Sequence, residues 1–496
     1  MIPTIQRRKP LTAHIGVLGV GLDVYWAQFP GLLDSLMGYL DRFEQQVRSH
    51  EVGTSNFGMV DSAQAAYALL PRLKAADLDL LFVDMLTYAT SSTFAILIRD
   101  LDIPVVLVAM QPLARLDYAR ATIEMQLKND NVCSLPEFAG VAVRMGRPVP
   151  PMVIGVLGGD ARADAEVSMW CRIARALHDL KGARIGHFGH PIEAMLDMHT
   201  DQTALTAAFG LHVVQTELDD LVRLAREVSP GEARSKEAEI LTLFETPDSQ
   251  SDPLTQRLTD EDLGNAARTA VALDRFVALH NLDGLAYYYK GEPGTEREQV
   301  AGNLIVGNSL MIAAGFPMCG ESDLKTCVAM LIVDRLGIGG SFAEFHPIDF
   351  EEGFVLVGHD GPHHINIAEG KPVLRSLTAY HGKPGSGASV EFKIKEGDIT
   401  ILGITSTYEG RFKFVIAEGK SMPGPIPATG NTNTRAFFKP DVVTFLQRWL
   451  AEGPTHHFAL GVGRHARDIQ CIGESLGIES VVVSQGARCT KGRAPC

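Results

Sequence analysis

Acidic and imidazole side chains crowd into four short stretches of this chain. Cys319-Gly320-Glu321-Ser322-Asp323-Leu324-Lys325 follows Pro317, and Gly340-Ser341-Phe342-Ala343-Glu344-Phe345-His346 comes soon after. Val357-Gly358-His359-Asp360-Gly361-Pro362-His363-His364 is the third, and Thr455-His456-His457-Phe458 lies far downstream. Six of the 16 histidines fall inside these stretches, so they are concentrated rather than scattered. Taken singly, each residue has an ordinary explanation. A carboxylate after a proline usually caps a helix or meets solvent, and a loop histidine is usually just a satisfied polar group. Taken together, carboxylates and imidazoles make a nitrogen and oxygen donor set suited to Mn²⁺ or a related divalent ion. The seven cysteines form no CxxC pair, which argues against a structural zinc site. Scattered thiols of this kind fit a reducing cytosol, most of them as buried side chains.

A second candidate is weaker. Gly16-Val17-Leu18-Gly19-Val20-Gly21 looks like a nucleotide-binding glycine loop, yet Gly16 lies within the apolar run rather than after it. A dinucleotide fingerprint needs its glycines between strand and helix. The simpler expectation is a turn at a strand end where something approaches the backbone closely.

The elements that must position these groups follow from periodicity. His14 to Val20, Leu78 to Asp84 and Pro104 to Ala109 are short apolar runs, separated by helical patterns over Phe29 to Ser49 and Ser91 to Leu101. Val153 to Leu157 leads into a long helix ending near Leu180. Arg184 to Gly189, Leu211 to Thr216 and Leu282 to Tyr289 repeat the rhythm. Strands alternating with helices predict parallel sheets covered on both faces. From Phe354 the runs become short and alternating: Phe354 to Gly358, Ile365 to Ala368, Ser389 to Ile394, Ile399 to Thr407 and Lys413 to Glu418. Glu396-Gly397-Asp398 reads as a tight turn between two strands. A helix near Pro440 to Leu450 and a terminal α/β piece close the pattern. The segment after Gln485, rich in Lys, Arg, Gly and Pro, reads as mobile. The expectation is an α/β protein with two doubly wound parallel-sheet domains, residues 1–180 and 181–338. A β-rich, antiparallel, barrel-like domain over 339–496 carries part of the site.

Length and charge narrow the function. A chain of 496 residues with 46% apolar residues can build several cores. A formal charge of −14 argues against non-specific nucleic-acid binding, which needs a basic surface. No apolar stretch reaches the ~18 residues of a membrane span, and none of signal-peptide length follows the basic start. A soluble, cytoplasmic protein acting on a small molecule is expected.

The four stretches also resemble those of L-arabinose isomerases within the broader arabinose/fucose isomerase group. Gly320-Glu321-Ser322-Asp323-Leu324-Lys325-Thr326 is similar to a Glu-Gly-Asp-Trp-Lys-Thr segment, and Ser341-Phe342-Ala343-Glu344 to Ser-Phe-Met-Glu. Glu352-Gly353 through His359 resembles the strand ending in the family's ligand histidine, and His456-His457-Phe458 its late His-His-Thr. The resemblance implies a metal-dependent aldose–ketose isomerase that takes a sugar such as L-arabinose to its ketose by an ene-diol route, with a hydride shift as the mechanistic alternative. It implies that Glu321, Glu344, His359 and His457 bind Mn²⁺, or Co²⁺ or Mg²⁺ in its place, with Glu321 and Glu344 also the acid/base pair. The second histidine of the pair is the family's ligand, which leaves His456 as a substrate contact. Gln28, in Trp26-Ala27-Gln28-Phe29, falls where relatives place a substrate-contacting glutamine. A homo-hexamer is implied as well.

The chain departs from that pattern after His359. Relatives continue Met-Leu-Glu-Val-Cys-Pro, whereas here Asp360-Gly361-Pro362-His363-His364 follows. Roles for His346, His363 and His364 do not emerge from the sequence. Two other functions fit the same elements: a sugar-binding protein without turnover, and a different metal-dependent sugar enzyme such as an epimerase or dehydratase. A paired acid and base, Glu321 and Glu344, separates an enzyme from simple binding, which requires neither.

Overall fold

A computed structural model describes residues 4–377 and 387–483. The predicted mobile segment after Gln485, with Cys489 and Cys496, lies outside the described residues. The chain forms two compact units, Leu11–Asp179 and a second made of Met1–Pro10 with Leu180–Cys496.

The Leu11–Asp179 unit is a five-stranded parallel sheet. Its strands are β1 (His14–Val20), β2 (Gly53–Val60), β3 (Leu80–Met85), β4 (Val105–Gln111) and β5 (Met152–Val156), in the order β2-β1-β3-β4-β5. β1 and β3 are apolar along nearly their whole length because helices cover both faces. Helices Ala63–Ala75, Ser91–Asp100 and Leu135–Arg144 supply Leu69, Leu73, Phe94 and Phe138 to one core. The glycines of β1 serve this packing. A Cβ on Gly16 would lie 2.6 Å from the Leu78 side chain, and one on Gly19 2.3 Å from Leu86. Gly21 closes against the Trp26 ring, so the turn at the strand end meets a side chain.

The other unit holds two sheets. The first is parallel, in the order β7-β6-β8-β9, from β6 (Arg184–Phe188), β7 (His212–Thr216), β8 (Gly284–Tyr287) and β9 (Met318–Cys319). The second contains β10 (Gly339–Asp349), β11 (Phe354–His359), β12 (Ala368–Ser376), β13 (Ala388–Ile394), β14 (Gly397–Ser406), β15 (Phe412–Met422), β16 (Thr432–Phe438), β17 (Phe458–Val462) and β18 (Glu479–Val482). Six of these close into an antiparallel barrel, running β16-β11-β10-β17-β14-β15 and back to β16. Closure removes the exposed strand edges. Ile399, Ile401, Val415, Ala417, Phe458 and Leu460 fill a continuous core.

Two local expectations are corrected. Glu396-Gly397-Asp398 does join β13 to β14, but these strands do not pair with each other, so it is a crossing and not a hairpin. Ile365 to Ala368 is mostly a 3₁₀ turn, Ile365–Ile367, leading into β12. Strands β2, β9, β10, β16 and most of β12 escaped the sequence reading. β2 (GTSNFGMV) is a half-exposed edge with no apolar alternation, and β10 opens on two glycines. Among the described residues the cysteines are free thiols, with Cys171, Cys319 and Cys327 buried and Cys133 exposed. No helix of the described residues is long and apolar enough to cross a membrane.

Candidate active site

Register assembles most of the site. β10 runs between β11 and β17, with Glu344 opposite Gly358 and Ala343 opposite Phe458. Glu344 therefore stands beside His359, the last residue of β11, and beside His457, which immediately precedes β17. Phe342 lies two residues before Glu344, on the same face by strand alternation. Its ring meets both imidazoles, at 4.3 Å from His359 and 4.3 Å from His457 between centroids.

Glu321 arrives from the other sheet. β9 ends at Cys319, and the chain turns through Gly320–Ser322 before the helix Leu324–Arg335. Glu321 and Ser322 both take positive φ, 60° and 58°. Two consecutive non-glycine residues in the left-handed region cost energy and persist only where their surroundings hold them. Here Ser322 Oγ donates to the Phe188 carbonyl at 3.1 Å, tying the turn to the end of β6. Strand ends of an open parallel sheet are where ligands usually bind.

The four residues singled out from sequence meet around His457. Its Nε2 is 3.7 Å from Glu321 Oε2, and His359 Nε2 is 3.8 Å from Glu344 Oε1. Donor atoms of Glu344, His359 and His457 lie within 4.8 Å of one another, as do those of Glu321, His456 and His457. His457 Nε2 is buried and has no hydrogen-bond partner. Such an orphan is costly unless something else occupies its lone pair.

Asp323 explains which nitrogen is exposed to the cluster. Fully buried, it caps the helix Leu324–Arg335, accepting from Thr326 N at 3.0 Å and Thr326 Oγ1 at 2.7 Å. Its Oδ2 also accepts from His457 Nδ1 at 3.1 Å. A proton fixed on Nδ1 leaves the Nε2 lone pair aimed at Glu321, the carboxylate–histidine arrangement that orients metal ligands. Burial alone would raise the Asp323 pKa, but the hydrogen bonds from His457 and Thr326 outweigh it and hold the carboxyl below its ordinary range.

His456 is turned toward another partner. Its backbone N and its Nδ1 both meet Asp197 Oδ2, at 2.9 Å and 2.6 Å. Burial opposes a charged imidazole, yet Asp197 wins and raises its pKa. Lys325 Nζ donates to the carbonyls of Asp197 and His199 at 2.6 and 3.1 Å, fixing that loop. Gln28 sits exposed on the short helix Val24–Gln28 of the Leu11–Asp179 unit.

A cavity of about 180 Å³ opens beside the cluster, walled by Glu321, His359, Asp360, Phe342, Tyr287 and Tyr289. Burial pushes both tyrosine pKa values up, so their hydroxyls remain protonated and can donate. Sequence reasoning gave no role to Asp323, Asp360, Phe342 or these tyrosines. Asp323, three residues before Thr326, was readable as a helix cap. Its second bond, to a histidine 134 residues away, is visible only in three dimensions.

Comparison with known proteins agrees with the resemblance seen in the four stretches. Residues 339–479 match the family model for the L-arabinose isomerase C-terminal domain. The chain is 26% identical over 374 residues to an L-arabinose isomerase of a Nocardioides species, covering 73% of this chain and 72% of that one. It is 23% identical to the L-arabinose isomerase of Tolumonas auensis, over 70% of this chain and 69% of that one. To that of Escherichia coli it is 22% identical, over 66% of each chain.

Proposed function

Because the chain is L-arabinose isomerase-like, we propose that it is a divalent-metal-dependent aldose–ketose isomerase acting on a pentose or deoxyhexose such as L-arabinose. The observation that supports this most is the gathering of Glu321, Glu344, His359 and His457 beside a cavity. The donor set fits a cation: two carboxylates, two imidazoles and a buried His457 Nε2 whose lone pair has no hydrogen-bond partner. Two imidazoles with two carboxylates favour Mn²⁺, with Co²⁺ or Mg²⁺ as substitutes. In this proposal those four residues hold the ion, which when bound polarises the carbonyl of the open-chain sugar.

The protein's own groups do the proton work. One of Glu321 and Glu344 removes the proton from C2, and the other supports its return at C1 and the transfer of the hydroxyl proton from O2 to O1, by way of an ene-diol. Phe342 covers one side of both imidazoles and keeps water from them. Tyr287 and Tyr289 offer hydroxyl donors to the sugar from the cavity wall. His456 and Gln28 are further candidate contacts. Assembly as a homo-hexamer and residence in the cytoplasm belong to the same proposal, and sedimentation velocity tests the first.

The experiment is to strip the protein with chelator and reload it separately with Mn²⁺, Co²⁺ and Mg²⁺. Ketose formation is then followed over a panel of aldoses. Ketose should appear with at least one aldose, only after reloading. Turnover that survives chelation, or no ketose from any aldose with any metal, contradicts the proposal. A run in deuterated water separates the two proton routes, since an ene-diol exchanges solvent deuterium into product carbon and a hydride shift does not.

A further inference from the structure

The segment Asp360–His364 is where the chain departs from the motif it otherwise resembles, and it wraps around His359. Asp360 Oδ1 lies 3.2 Å from His359 Nδ1, and the Asp360 side chain is only 3% exposed. The pair resembles that of Asp323 and His457 in distance and burial, 3.1 Å between buried partners, although only the Asp323–His457 contact has the alignment of a hydrogen bond. Both imidazoles rest on the same Phe342 ring. Each thus has a carboxylate behind Nδ1, with its Nε2 near a glutamate.

The rest of the segment supports that position. A Cβ on Gly361 would sit 3.2 Å from His359 Nδ1 and 3.8 Å from Phe342, so glycine lets the chain fold close over the ring edge. His363 Nε2 is 2.9 Å from the His359 carbonyl oxygen; the carbonyl accepts, so that nitrogen carries the proton. The backbone N–H groups of His363 and His364 donate to Ser309 Oγ at 3.1 Å and Ser341 Oγ at 3.0 Å. Those bonds pin the loop to the helix Leu304–Ala313 and to β10. One side chain faces the imidazole, one residue clears its edge, one holds its backbone, and two hydroxyls hold the loop.

We propose that Asp360 is a positioning residue which, with Gly361 and His363, fixes the His359 imidazole with Nε2 toward the metal cluster. This rests on the cation site proposed above. The pair of carboxylate-backed histidines then forms one preorganised half of that site, while Glu321 and Glu344 supply the other half. Asp360 also faces the cavity, so direct contact with the sugar is the competing role.

Mn²⁺ alone is the probe. Its binding to the chelator-stripped full chain is measured by calorimetry for the wild type, Asp360→Asn and Gly361→Ala, with thermal melts in chelator alongside. Loss of a carboxylate behind a ligating histidine typically weakens metal binding 10–100-fold. Asp360→Asn should weaken Mn²⁺ by that factor while its melt in chelator stays near wild type, and Asp360→Glu should recover part of the loss. Gly361→Ala, which crowds the same nitrogen without touching the carboxylate, should weaken Mn²⁺ too and serves if Asp360→Asn does not fold. An unchanged Mn²⁺ affinity in both variants overturns the proposal, and a raised KM accompanying it assigns Asp360 to the sugar. A wild type that binds no Mn²⁺ overturns the cation site itself, and this proposal with it.

Discussion

Asp323→Asn perturbs a single atom of the site. The side chain is fully buried and nearly isosteric with its replacement, so packing is conserved. In the native protein Oδ1 accepts from Thr326 N, while Oδ2 accepts from both Thr326 Oγ1 and His457 Nδ1. Asparagine has two orientations. If Nδ2 replaces Oδ2, His457 Nδ1 must accept instead of donate. Its proton then moves to Nε2, where it blocks the lone pair. If the amide flips, Nδ2 faces the Thr326 N–H and the helix cap is lost, at about 1 kcal/mol. In either case a charge-assisted bond worth about 1.5–3 kcal/mol becomes a neutral one or a clash. Mn²⁺ affinity should fall 10–100-fold, which is about 1.4–2.8 kcal/mol at 1.4 kcal/mol per decade. Calorimetry with Mn²⁺ reads the first effect, and thermal melts in chelator the second. Because the folded carboxyl is held below its ordinary value of 3.8, its stabilisation is present above that pH and lost as pH falls through the lower folded value. The native-minus-variant difference in stability should therefore shrink in acid. Unchanged Mn²⁺ affinity together with an unchanged melt would refute the reasoning.

Other substitutions probe separate parts of the account. Glu321→Gln and Glu344→Gln should each lower kcat by about 10²–10⁴-fold, read by ketose formation, while the circular dichroism spectrum is retained; near-native turnover in either removes that glutamate from the chemistry. Ser322→Gly relieves a left-handed residue worth about 1–2 kcal/mol but loses the bond to the Phe188 carbonyl. Its melt should lie within about 1 kcal/mol of native, whereas a β-branched Ser322→Val should cost about 2 kcal/mol or more. Burial pushes the His364 pKa down from 6.5 to about 4, so the folded protein keeps this imidazole neutral. The unfolded chain gains a proton below pH 6.5, so the fold is favoured fully above that pH and loses about 2 kcal/mol by pH 5. Melts of native protein and His364→Gln at pH 7 and 5 should show less acid sensitivity in the variant.

Much of the architecture was legible because burial leaves a simple mark. β1, β3 and β4 are continuous apolar runs, as strands covered on both faces must be. β2 carries Thr, Ser, Asn and Gly on a half-exposed edge, and nothing in its pattern separates it from a loop. The short alternating runs pointed to a barrel-like domain, but which strands close it was not legible, since closure depends on β15 pairing with both β14 and β16. At the site, Glu321, Glu344, His359 and His457 stood out through the resemblance to arabinose isomerase motifs, inside four stretches that residue types had marked. What holds their rings did not, because Asp323 reaches His457 across 134 residues and Asp360 looks from sequence like one more loop carboxylate. Gly16 and Gly19 pointed toward a ligand loop and instead make room for leucine side chains.

The most direct test is anomalous scattering at the manganese edge from crystals of the stripped protein soaked in Mn²⁺. One strong peak should appear within coordinating distance of Glu321, Glu344, His359 and His457. No peak there, or a peak held by other residues, contradicts the account.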